Sequence, residues 1–494
     1  MKRILKIHDS DNVAVALSDD IGKGDTFDGI TLSEDIPQGH KFALKPIGKG
    51  EEVIKYGYPI GHATVSIAVG QWVHSHNLVT SLGPDVKYGY HAGTSHRSWK
   101  VDGDIPVING YLRTSGNMGI RNELWIVPTV GCVNGAACAI AERVRKECEL
   151  VNIDDVRAFT HNYGCSQLGE DHVNTRKALA ALAKHPNAGG VLVLGLGCEN
   201  NGISALRGEM GDFDTSRIRF LNAQDVEDEV SAGFEICKEL ACVMNGDRRQ
   251  PLPVSMLKVG LKCGGSDGLS GITANPLVGR FSDRLVEWGG TTVLTEVPEM
   301  FGAETILMDR AVDCVVFDRM VNLINGFKDY FRSYGQPIYE NPSPGNKTGG
   351  ITTLEEKSLG CVQKGGSSPV VDVLSYAHAV TKPGLNVIQA PGNDLVASTA
   401  LALSGCHMVL FTTGRGTPFG TFVPTLKIST NTPLSEHKAN WIDFNAGEVV
   451  NGESWDSALA RLIDKITAVA NGAALRHELN GAKDIAIFKS GVTL

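Results

Sequence analysis

The sequence has no long apolar run, no block of basic residues and no closely paired cysteines, and each absence excludes a class of protein. No run reaches the roughly 18–20 apolar residues that cross a bilayer. The formal net charge is −9, so neither nucleic acid nor a membrane surface is an expected partner. None of the 11 cysteines forms a C-x-x-C pair, and M-K-R-I-L-K-I-H-D-S is not a signal peptide. We therefore expect reduced thiols and a cytoplasmic protein.

Nucleotide-binding motifs are also missing. G-L-G at 195–197 follows an apolar run, but position 200 is Asn where a dinucleotide motif requires a third glycine. The G-x-x-x-x-G-K-[ST] phosphate loop does not occur anywhere in the chain. The sequence therefore predicts no NAD, flavin or phosphate cofactor.

Glycine, in contrast, is abundant, with 57 residues among 494, a length that predicts several domains. Residues 1–82 contain short strand-like runs between turns: N-V-A-V-A-L, H-K-F-A-L, E-E-V-I-K-Y-G and A-T-V-S-I-A-V-G. They predict a small all-β module. Residues 83–108 have no periodicity and many turn formers, which predicts a linker.

The rest of the chain alternates apolar runs with helical stretches, a pattern typical of α/β domains with parallel sheets. Runs such as L-W-I-V-P-T-V-G and V-L-V-L-G-L-G predict a middle α/β domain over 109–248. The pattern restarts after D-R-R-Q-P-L-P at 247–253, which predicts a second parallel-sheet domain over 249–494.

Most predicted strands run into polar, glycine-rich turns. Ligands of open α/β sheets bind outside the carboxyl ends of the strands, so we expect these turns to face one crevice. The polar residues concerned are Cys165, Glu199, Asn200, Asp267, Asn393, Asp394 and Arg415.

The stretch V-H-S-H-N at 73–77 places His74 and His76 one residue apart. On a strand both imidazoles point to the same face, where they can bind a metal or exchange protons with a substrate. A polar strand end beside a loop explains the pair equally well when the stretch is taken alone.

Two other functions fit parts of the sequence. G-G-S-D-G at 264–268 matches the G-x-S-x-G elbow of serine hydrolases, with His407 or His437 available for a triad. However, an elbow serine is followed at once by a helix, and helical pattern resumes here only beyond Pro276. The second alternative is a sugar-acid-binding protein without catalytic activity.

Long motifs along the whole chain resemble those of the altronate and galactarate dehydratase family. They include Y-G-Y-P-I-G-H-A, V-H-S-H-N, H-N-Y-G-C-S-Q-L-G-E-D-H-V-N-T-R, G-L-G-C-E-N-N, K-C-G-G-S-D-G-L-S-G-I-T-A-N-P, T-E-V-P-E-M-F-G-A-E and T-G-R-G-T-P-F-G. The chain length and the ending A-I-F-K-S-G-V-T-L are more similar to the altronate branch than to the galactarate branch, so a galactarate or other sugar-acid dehydratase is the alternative.

The resemblance implies a fold and a reaction. The implied fold is an N-terminal β-clip (SAF-type) domain, a linker, a middle domain that dimerises and a C-terminal Rossmann-like domain without a dinucleotide. The implied reaction is dehydration of the sugar acid D-altronate to 2-dehydro-3-deoxy-D-gluconate, with iron(II) or alternatively manganese(II). A homodimer is the implied assembly.

In that context the polar residues become candidates for defined roles. His74 and His76 are the catalytic candidates. The substrate-binding candidates are Asn77, Asn200, Asn201, Lys364 and Arg415. The metal-binding candidates are Cys165, Glu199, Asp267 and Cys361, because soft thiolates suit iron.

Overall fold

The computed structural model describes residues 3–83, 86, 88–90 and 105–490. Most of the predicted linker, namely residues 84, 85, 87 and 91–104, lies outside the described residues. Where the description resumes, a strand already begins at Val107, inside the predicted 83–108 segment.

The N-terminal module consists of short antiparallel strands. They are β1 (Ile4–Leu5), β2 (Val13–Ala16), β3 (Thr26–Phe27), β4 (Ile30–Thr31), β5 (Lys41–Ala43), β6 (Glu52–Lys55), β7 (Tyr58–Ala63), β8 (Trp72–Val73) and β9 (Leu78–Val79). One sheet has the order β1-β2-β5-β8, a second has the order β6-β7-β9, and β3 pairs with β4. The first three predicted runs each contain one of these strands.

The fourth predicted run, at 63–70, is not a strand beyond Ala63. Ile67 instead forms an isolated bridge with Ile47, through backbone hydrogen bonds of 2.8 and 3.0 Å. Gly70 then turns with φ +75°, and a Cβ there would lie 2.2 Å from the carbonyl oxygen of Thr31. This close approach bends the run although its residues favour a strand.

The middle domain contains a parallel sheet between two helical layers. Its elements are β10 (Val107–Leu112), β11 (Met118–Gly119), β12 (Glu123–Pro128), α1 (Asn134–Glu147), β13 (Val156–Ala158), α2 (Gly169–Ala183), β14 (Ala188–Gly195), α3 (Ile203–Met210), β15 (Ile218–Asn222), α4 (Glu229–Met244) and β16 (Gln250–Pro253). The sheet order is β13-β12-β14-β15. Side chains of β12 alternate: Leu124 and Ile126 pack with α1 and α4, whereas Trp125 and Val127 pack with α2.

The C-terminal domain has a parallel sheet ordered β19-β20-β18-β17-β21-β22-β23. Its strands are β17 (Lys258–Cys263), β18 (Thr291–Leu294), β19 (Val370–Leu374), β20 (Gly384–Ile388), β21 (Met408–Thr413), β22 (Thr425–Ser429) and β23 (Phe444–Asn445). Its helices are α5 (Ala274–Glu287), α6 (Glu304–Met308), α7 (Cys314–Ser333), α8 (Pro344–Thr348), α9 (Leu354–Cys361), α10 (Asp394–Leu403), α11 (Thr432–His437), α12 (Trp455–Ala470) and α13 (Arg476–Leu479). The chain therefore has the predicted α/β architecture with two separate parallel sheets.

The two α/β regions share structure across the predicted boundary. The boundary segment forms β16, which pairs with β10 in a small antiparallel sheet. Trp125 of the middle domain packs edge-to-face on Phe422 of the C-terminal domain, with ring centroids 5.5 Å apart. A continuous apolar core thus joins the two regions.

Segment 475–488 returns from the C-terminal domain to the middle domain. Glu478 accepts two hydrogen bonds of 2.9 Å from the buried Arg121 guanidinium. Lys483 forms a 2.6 Å ion pair with Glu123, and both side chains are buried. These pairs leave no unpaired charge at the start of β12, since each buried cation faces a carboxylate.

In the described part of the chain, no helix has both the length and the apolar character needed to cross a membrane.

Candidate active site

The two histidines of V-H-S-H-N lie in a turn, not on a strand. β8 ends at Val73, and residues 74–77 turn toward β9. Asn77 closes this turn: its Oδ1 accepts the His74 N–H at 2.9 Å, and its Nδ2 donates to the Trp72 carbonyl at 2.9 Å. The expectation of a shared strand face is therefore wrong, because side-chain hydrogen bonds to the backbone compete with strand pairing.

His74 contacts the C-terminal domain through its ring. Its Nε2 lies 2.9 Å from the carbonyl oxygen of Lys347, and its Nδ1 lies 3.0 Å from Ser75 Oγ. His40 makes a similar contact with the carbonyl of Thr348, at 3.1 Å. Burial lowers the pKa of His40 to about 4 and also lowers the pKa of His74. Both rings are therefore neutral groups that dock the N-terminal module on α8.

His76 differs from His74 because its ring is exposed. It packs on Trp72 with ring centroids 5.6 Å apart. The buried Asn77, in contrast, uses both ends of its amide within the turn. The structure thus leaves the His76 ring open to a ligand at the rim of the N-terminal module, whereas it gives Asn77 a structural role.

Helix α9 binds the N-terminal module through a buried ion triad. Lys41 and Lys55 each approach Glu356 at 2.8 Å, and all three side chains are almost fully buried. Thr80 and the backbone of Ser81 also bind α9, through Glu355. Burial alone would raise the pKa of Glu356, but the two ammonium groups hold it well below its usual range.

The other end of α9 contributes to a buried cluster of two thiols and a carboxylate. Cys263, at the end of β17, and Cys361, at the end of α9, have sulfurs 3.2 Å apart. Glu299 Oε2 lies 3.5 Å from the first sulfur and 3.3 Å from the second. Among the described residues this is the one group of three or more His, Cys, Asp or Glu side chains whose donor atoms all lie within 4.8 Å.

Electrostatics within the cluster favour charged donors. The hydrogen bond with Cys361 lowers the pKa of Cys263 to about 5 and raises the pKa of Cys361 well above its ordinary value. Burial alone would raise the pKa of Glu299, but Lys357 and Lys262 lower it to about 2. A thiolate and a carboxylate are therefore present before any ligand binds.

Three buried lysines surround these donors. Lys357 pairs with Glu299 at 2.9 Å, Lys364 with Glu296 at 3.3 Å, and Lys262 with Asp394 at 2.9 Å. Burial alone would lower the pKa values of the lysines, but the facing anions raise all three. The lysines therefore remain ammonium groups, each already paired with a carboxylate of the site.

The donor set also fits a soft divalent cation. Two thiolates and one carboxylate are ligands that iron(II) accepts, and an open coordination position would remain for substrate. Because Cys263 is already a thiolate, binding would release one thiol proton, that of Cys361.

The structure divides the four predicted metal ligands between the two sheets. Cys361 belongs to the buried cluster, and Asp267 lines a narrow cleft next to it. Asp267 is held there by Thr430 at 2.8 Å and Ser270 at 3.0 Å. Cys165 and Glu199 instead lie at the edge of the middle-domain sheet, so the four residues do not form one site.

The remaining middle-domain candidates have local partners. Glu199 accepts hydrogen bonds from Thr129 Oγ1 at 2.5 Å and from the Gly197 N–H at 2.7 Å. Asn200 accepts the Ser166 N–H at 3.0 Å, and Asn201 donates to the His172 carbonyl at 3.2 Å. These contacts hold the turns after β13 and β14 together.

Lys364 and Arg415, the candidates for a substrate carboxylate, have different environments. Lys364 is buried in the lysine-rich cluster, the group formed by Lys262, Lys357 and Lys364. Arg415, in contrast, is exposed on the turn after β21. That turn lies beside Gly265, where a Cβ would approach the Arg415 side chain at 3.2 Å. Both residues thus lie at the carboxyl edge of the seven-stranded sheet, one inside and one at the rim.

The geometry contradicts the serine elbow and His407, one of the two histidines proposed for its triad. Ser266 follows the carboxyl end of β17, but His407 accepts the backbone N–H of Lys258 at the opposite end of that strand. α5 begins only at Ala274, so a helix does not follow the serine directly as an elbow requires.

Sequence reasoning missed Cys263, Glu299, Lys262 and Lys357 as members of one site. Cys263 and Glu299 carried a partial signal, since each lies close to a polar segment at the end of a strand. Nothing local distinguished Lys262, in the strand run L-K-V-G-L-K-C, or Lys357, in E-E-K-S-L. Their roles depend on burial beside carboxylates, which is a tertiary property.

Comparison with known proteins identifies relatives over the whole chain. Residues 2–81 match the family model "Altronate/galactarate dehydratase SAF domain", residues 110–245 match "D-galactarate dehydratase/Altronate hydrolase, second domain", and residues 254–493 match "D-galactarate/Altronate dehydratase, C-terminal".

Individual relatives match at high coverage. Altronate dehydratase of Escherichia coli is 54% identical over 99% of both chains, and that of Bacillus subtilis is 53% identical over 100% of both. Galactarate dehydratase (L-threo-forming) of Escherichia coli is 34% identical over 95% of this chain and 92% of its own.

Proposed function

This chain belongs to the altronate and galactarate dehydratase family, and on that premise we propose that it is a hydro-lyase that dehydrates altronate. The observation that carries the proposal is the identity above 50% to two altronate dehydratases over 99% or more of both chains. The 34% identity to the galactarate enzyme favours altronate over galactarate. The proposed product is 2-dehydro-3-deoxy-D-gluconate.

The reaction removes the proton at C2 of the sugar acid and the hydroxyl at C3. The electron pair of the C2–H bond forms the C2–C3 double bond, the C3–O bond breaks, and water leaves. The resulting enol then tautomerises to the 2-keto acid. Negative charge accumulates on the substrate carboxylate during proton removal, so the site must stabilise an anion.

The buried lysines supply that stabilisation in the proposed mechanism. Lys357 is held by Glu299, by Asn341 Oδ1 at 3.0 Å and by Asn346 Oδ1 at 3.2 Å, so its ammonium has a fixed position. Lys364 lies in the same buried region. Because these groups stay protonated, we assign them to binding the carboxylate and its developing charge rather than to proton removal.

We propose that Cys263, Glu299 and Cys361 hold iron(II), or alternatively manganese(II). When bound, such an ion supplies Lewis-acid polarisation of substrate oxygens. The thiolate and carboxylate donors described above support iron(II), whereas manganese(II) is more often bound by carboxylate and water oxygens.

Proton transfer at C2 is assigned to His76. Imidazole is the commonest general base in enzymes, and the His76 ring is exposed on the turn that docks on α8. His74 positions that turn through Lys347. Asn346 of the same helix contacts Lys357, so α8 connects the histidine turn with the lysine-rich cluster.

The test is an anaerobic assay of the purified chain with iron(II) and a thiol reductant. Altronate and galactarate are supplied in parallel, and 2-keto-3-deoxy acid is measured. We expect turnover of altronate, and His76→Asn should reduce kcat by about 10²–10⁴-fold. Turnover of galactarate alone would refute the substrate assignment, and turnover of neither acid would refute the function.

A further inference from the structure

A second cysteine cluster lies in the middle domain, apart from the proposed active site. Each of its members follows a glycine, and successive members are 33 residues apart in the sequence. They are Cys132 in V-G-C-V-N, Cys165 in Y-G-C-S-Q and Cys198 in L-G-C-E-N. The proposed reaction uses none of them.

The strand register brings the three cysteines to one edge of the sheet. Pro128 of β12 pairs with Leu194 of β14, and Cys132 and Cys198 each lie four residues further along. These two cysteines therefore follow neighbouring strands, whose backbones are about 5 Å apart in the pairing direction. Cys165 follows β13, which pairs with β12 on the other side.

Hydrogen bonds connect the three turns directly. The Gly131 N–H donates to the Tyr163 carbonyl at 3.0 Å, which joins the first turn to the second. The Asn201 N–H donates to the Gly164 carbonyl at 3.1 Å, and Ser166 N–H donates to Asn200 Oδ1 at 3.0 Å, which joins the second turn to the third. The three cysteines are therefore fixed relative to one another.

Close packing requires the glycine that precedes Cys165. Gly164 has φ +103°, and a Cβ there would lie 2.0 Å from the carbonyl oxygen of Thr129, the first residue after β12. At Gly131 a Cβ would lie 2.9 Å from the carbonyl oxygen of His161. The glycines thus let the turns approach each other and present their cysteines together.

All three thiols are exposed, although cysteine is among the most commonly buried residues. Helices α1, α2 and α3 begin within five residues of Cys132, Cys165 and Cys198 respectively. The positive ends of helix dipoles favour anionic ligands. Sulfur acceptors are also hydrogen-bonded: Gln224 Nε2 lies 3.7 Å from Cys198, and Ser166 Oγ lies 3.8 Å from Cys165.

The spacing of the three thiols argues against a single metal ion. Within the described residues, their sulfurs do not all lie within 4.8 Å of each other, unlike the donors around Cys361. Glu199, the carboxylate next to Cys198, is engaged by Thr129 and two backbone N–H groups. A multinuclear ligand suits this wider arrangement, because each thiolate then binds a different iron.

We propose that Cys132, Cys165 and Cys198 bind an iron–sulfur cluster of the [4Fe–4S] class. Protein-bound clusters of this class commonly have four protein ligands. Three thiolates leave one iron free to bind water or an oxygen donor. The proposal concerns a site separate from the Cys263–Glu299–Cys361 group, and it does not depend on the identity of the sugar acid.

The test measures iron and acid-labile sulfide in the full chain after anaerobic reconstitution with iron(III), a thiol reductant and sulfide. We expect about four sulfides per chain together with visible thiolate-to-iron absorption. The triple variant C132S/C165S/C198S should lose the sulfide and the absorption. Cys138→Ser and Cys242→Ser, which change exposed cysteines on α1 and α4, should retain both.

Two outcomes would overturn the inference. One is iron without sulfide in the reconstituted chain, which indicates mononuclear binding only. The other is an undiminished cluster in the triple variant, checked by circular dichroism to be folded. Altronate turnover is measured on the same samples. Turnover by a chain that contains no sulfide would refute this inference alone. A bound cluster in a chain that does not turn over altronate would refute the proposed function alone.

Discussion

At the scale of single residues, Cys263 and Cys361 are 98 positions apart in the chain yet have sulfurs 3.2 Å apart. Their proximity depends on where α9 ends, not on any local motif. Glu299 completes the group from the short 3-10 helix Val297–Met300. The proposed metal site therefore combines side chains from three separate elements around the carboxyl end of β17.

Cys361→Ser is expected to weaken metal binding because a hydroxyl replaces a thiolate ligand. The loss should be at least the 10–100-fold that accompanies removal of outer-shell partners of metals. The measurement is iron content after loading with iron(II) without sulfide. Cys406→Ser is the matched control, since Cys406 is equally buried but precedes β21 at the opposite edge of the sheet. Equal iron in both variants would contradict the assignment.

Lys357→Met is expected to lower kcat for altronate by about 10²–10³-fold, the range found when one donor to a developing oxyanion is removed. The variant keeps the length of the side chain but removes the charge that faces Glu299. Steady-state kinetics measure the effect, and Lys382→Met, on an exposed lysine, serves as the control. A kcat within a factor of two of the parent would show that Lys357 does not act on the substrate.

At the scale of elements, α9 connects the N-terminal module with the buried cluster. Its first turn contains Glu355 and Glu356, which bind the module, and the residues that follow include Lys357 and Cys361. All eight residues of the helix are buried. A displacement at one end of so short a helix must therefore move the groups at the other end.

Glu356→Gln is expected to destabilise the protein by about 3–5 kcal/mol, because Lys41 and Lys55 would remain buried without a counter-ion. Urea denaturation measures the change in the free energy of unfolding. Glu340→Gln, at an exposed position, is the control and should have an effect below about 0.5 kcal/mol. Equal stability of the two variants would mean that the triad contributes nothing to docking.

Sequence patterns predicted the two parallel sheets but not the histidine turn, and of the three proposed metal donors they predicted only Cys361. Strands covered on both faces need continuous apolar runs, such as V-L-V-L-G in β14, so periodicity identifies them. The turn at 74–77 depends on the amide of Asn77, which apolar periodicity does not encode. Both parallel sheets have polar residues at the ends of their strands, so the sequence does not show which turns share a site. For this reason Cys165 and Cys361 are predicted as ligands of the same metal although they lie in different domains.

At the scale of the whole molecule, buried neutral histidines lie where regions meet. His185 of the middle domain accepts the Asn187 N–H at Nδ1 and lies 3.2 Å from the Cys406 carbonyl at Nε2. His477 accepts the Thr425 N–H at 2.8 Å. Burial lowers the pKa of each of these two histidines to about 3. Protonation would break these hydrogen bonds and place a charge in the core.

Stability should therefore fall as the pH drops below about 6.5, the usual pKa of histidine in an unfolded chain. Between that pH and the folded-state pKa near 3, the unfolded chain binds more protons, so each such histidine removes about 1.4 kcal/mol per pH unit. Urea midpoints between pH 7 and pH 5 measure the slope. His185→Asn should reduce the slope of stability against pH by the amount expected for one proton. His8→Asn, which changes an exposed histidine, should leave the slope unchanged. Equal slopes in the two variants would contradict the prediction.

The return of segment 475–488 to the middle domain has a consequence during synthesis on the ribosome. Arg121 is synthesised 357 residues before its partner Glu478. At 5–20 residues per second this delay is roughly 20–70 s. During that interval the start of β12 has unpaired charges that cannot be buried. The middle region must then wait, incompletely folded, for the last helix, and nascent chains stalled before residue 475 should bind chaperones that completed chains do not.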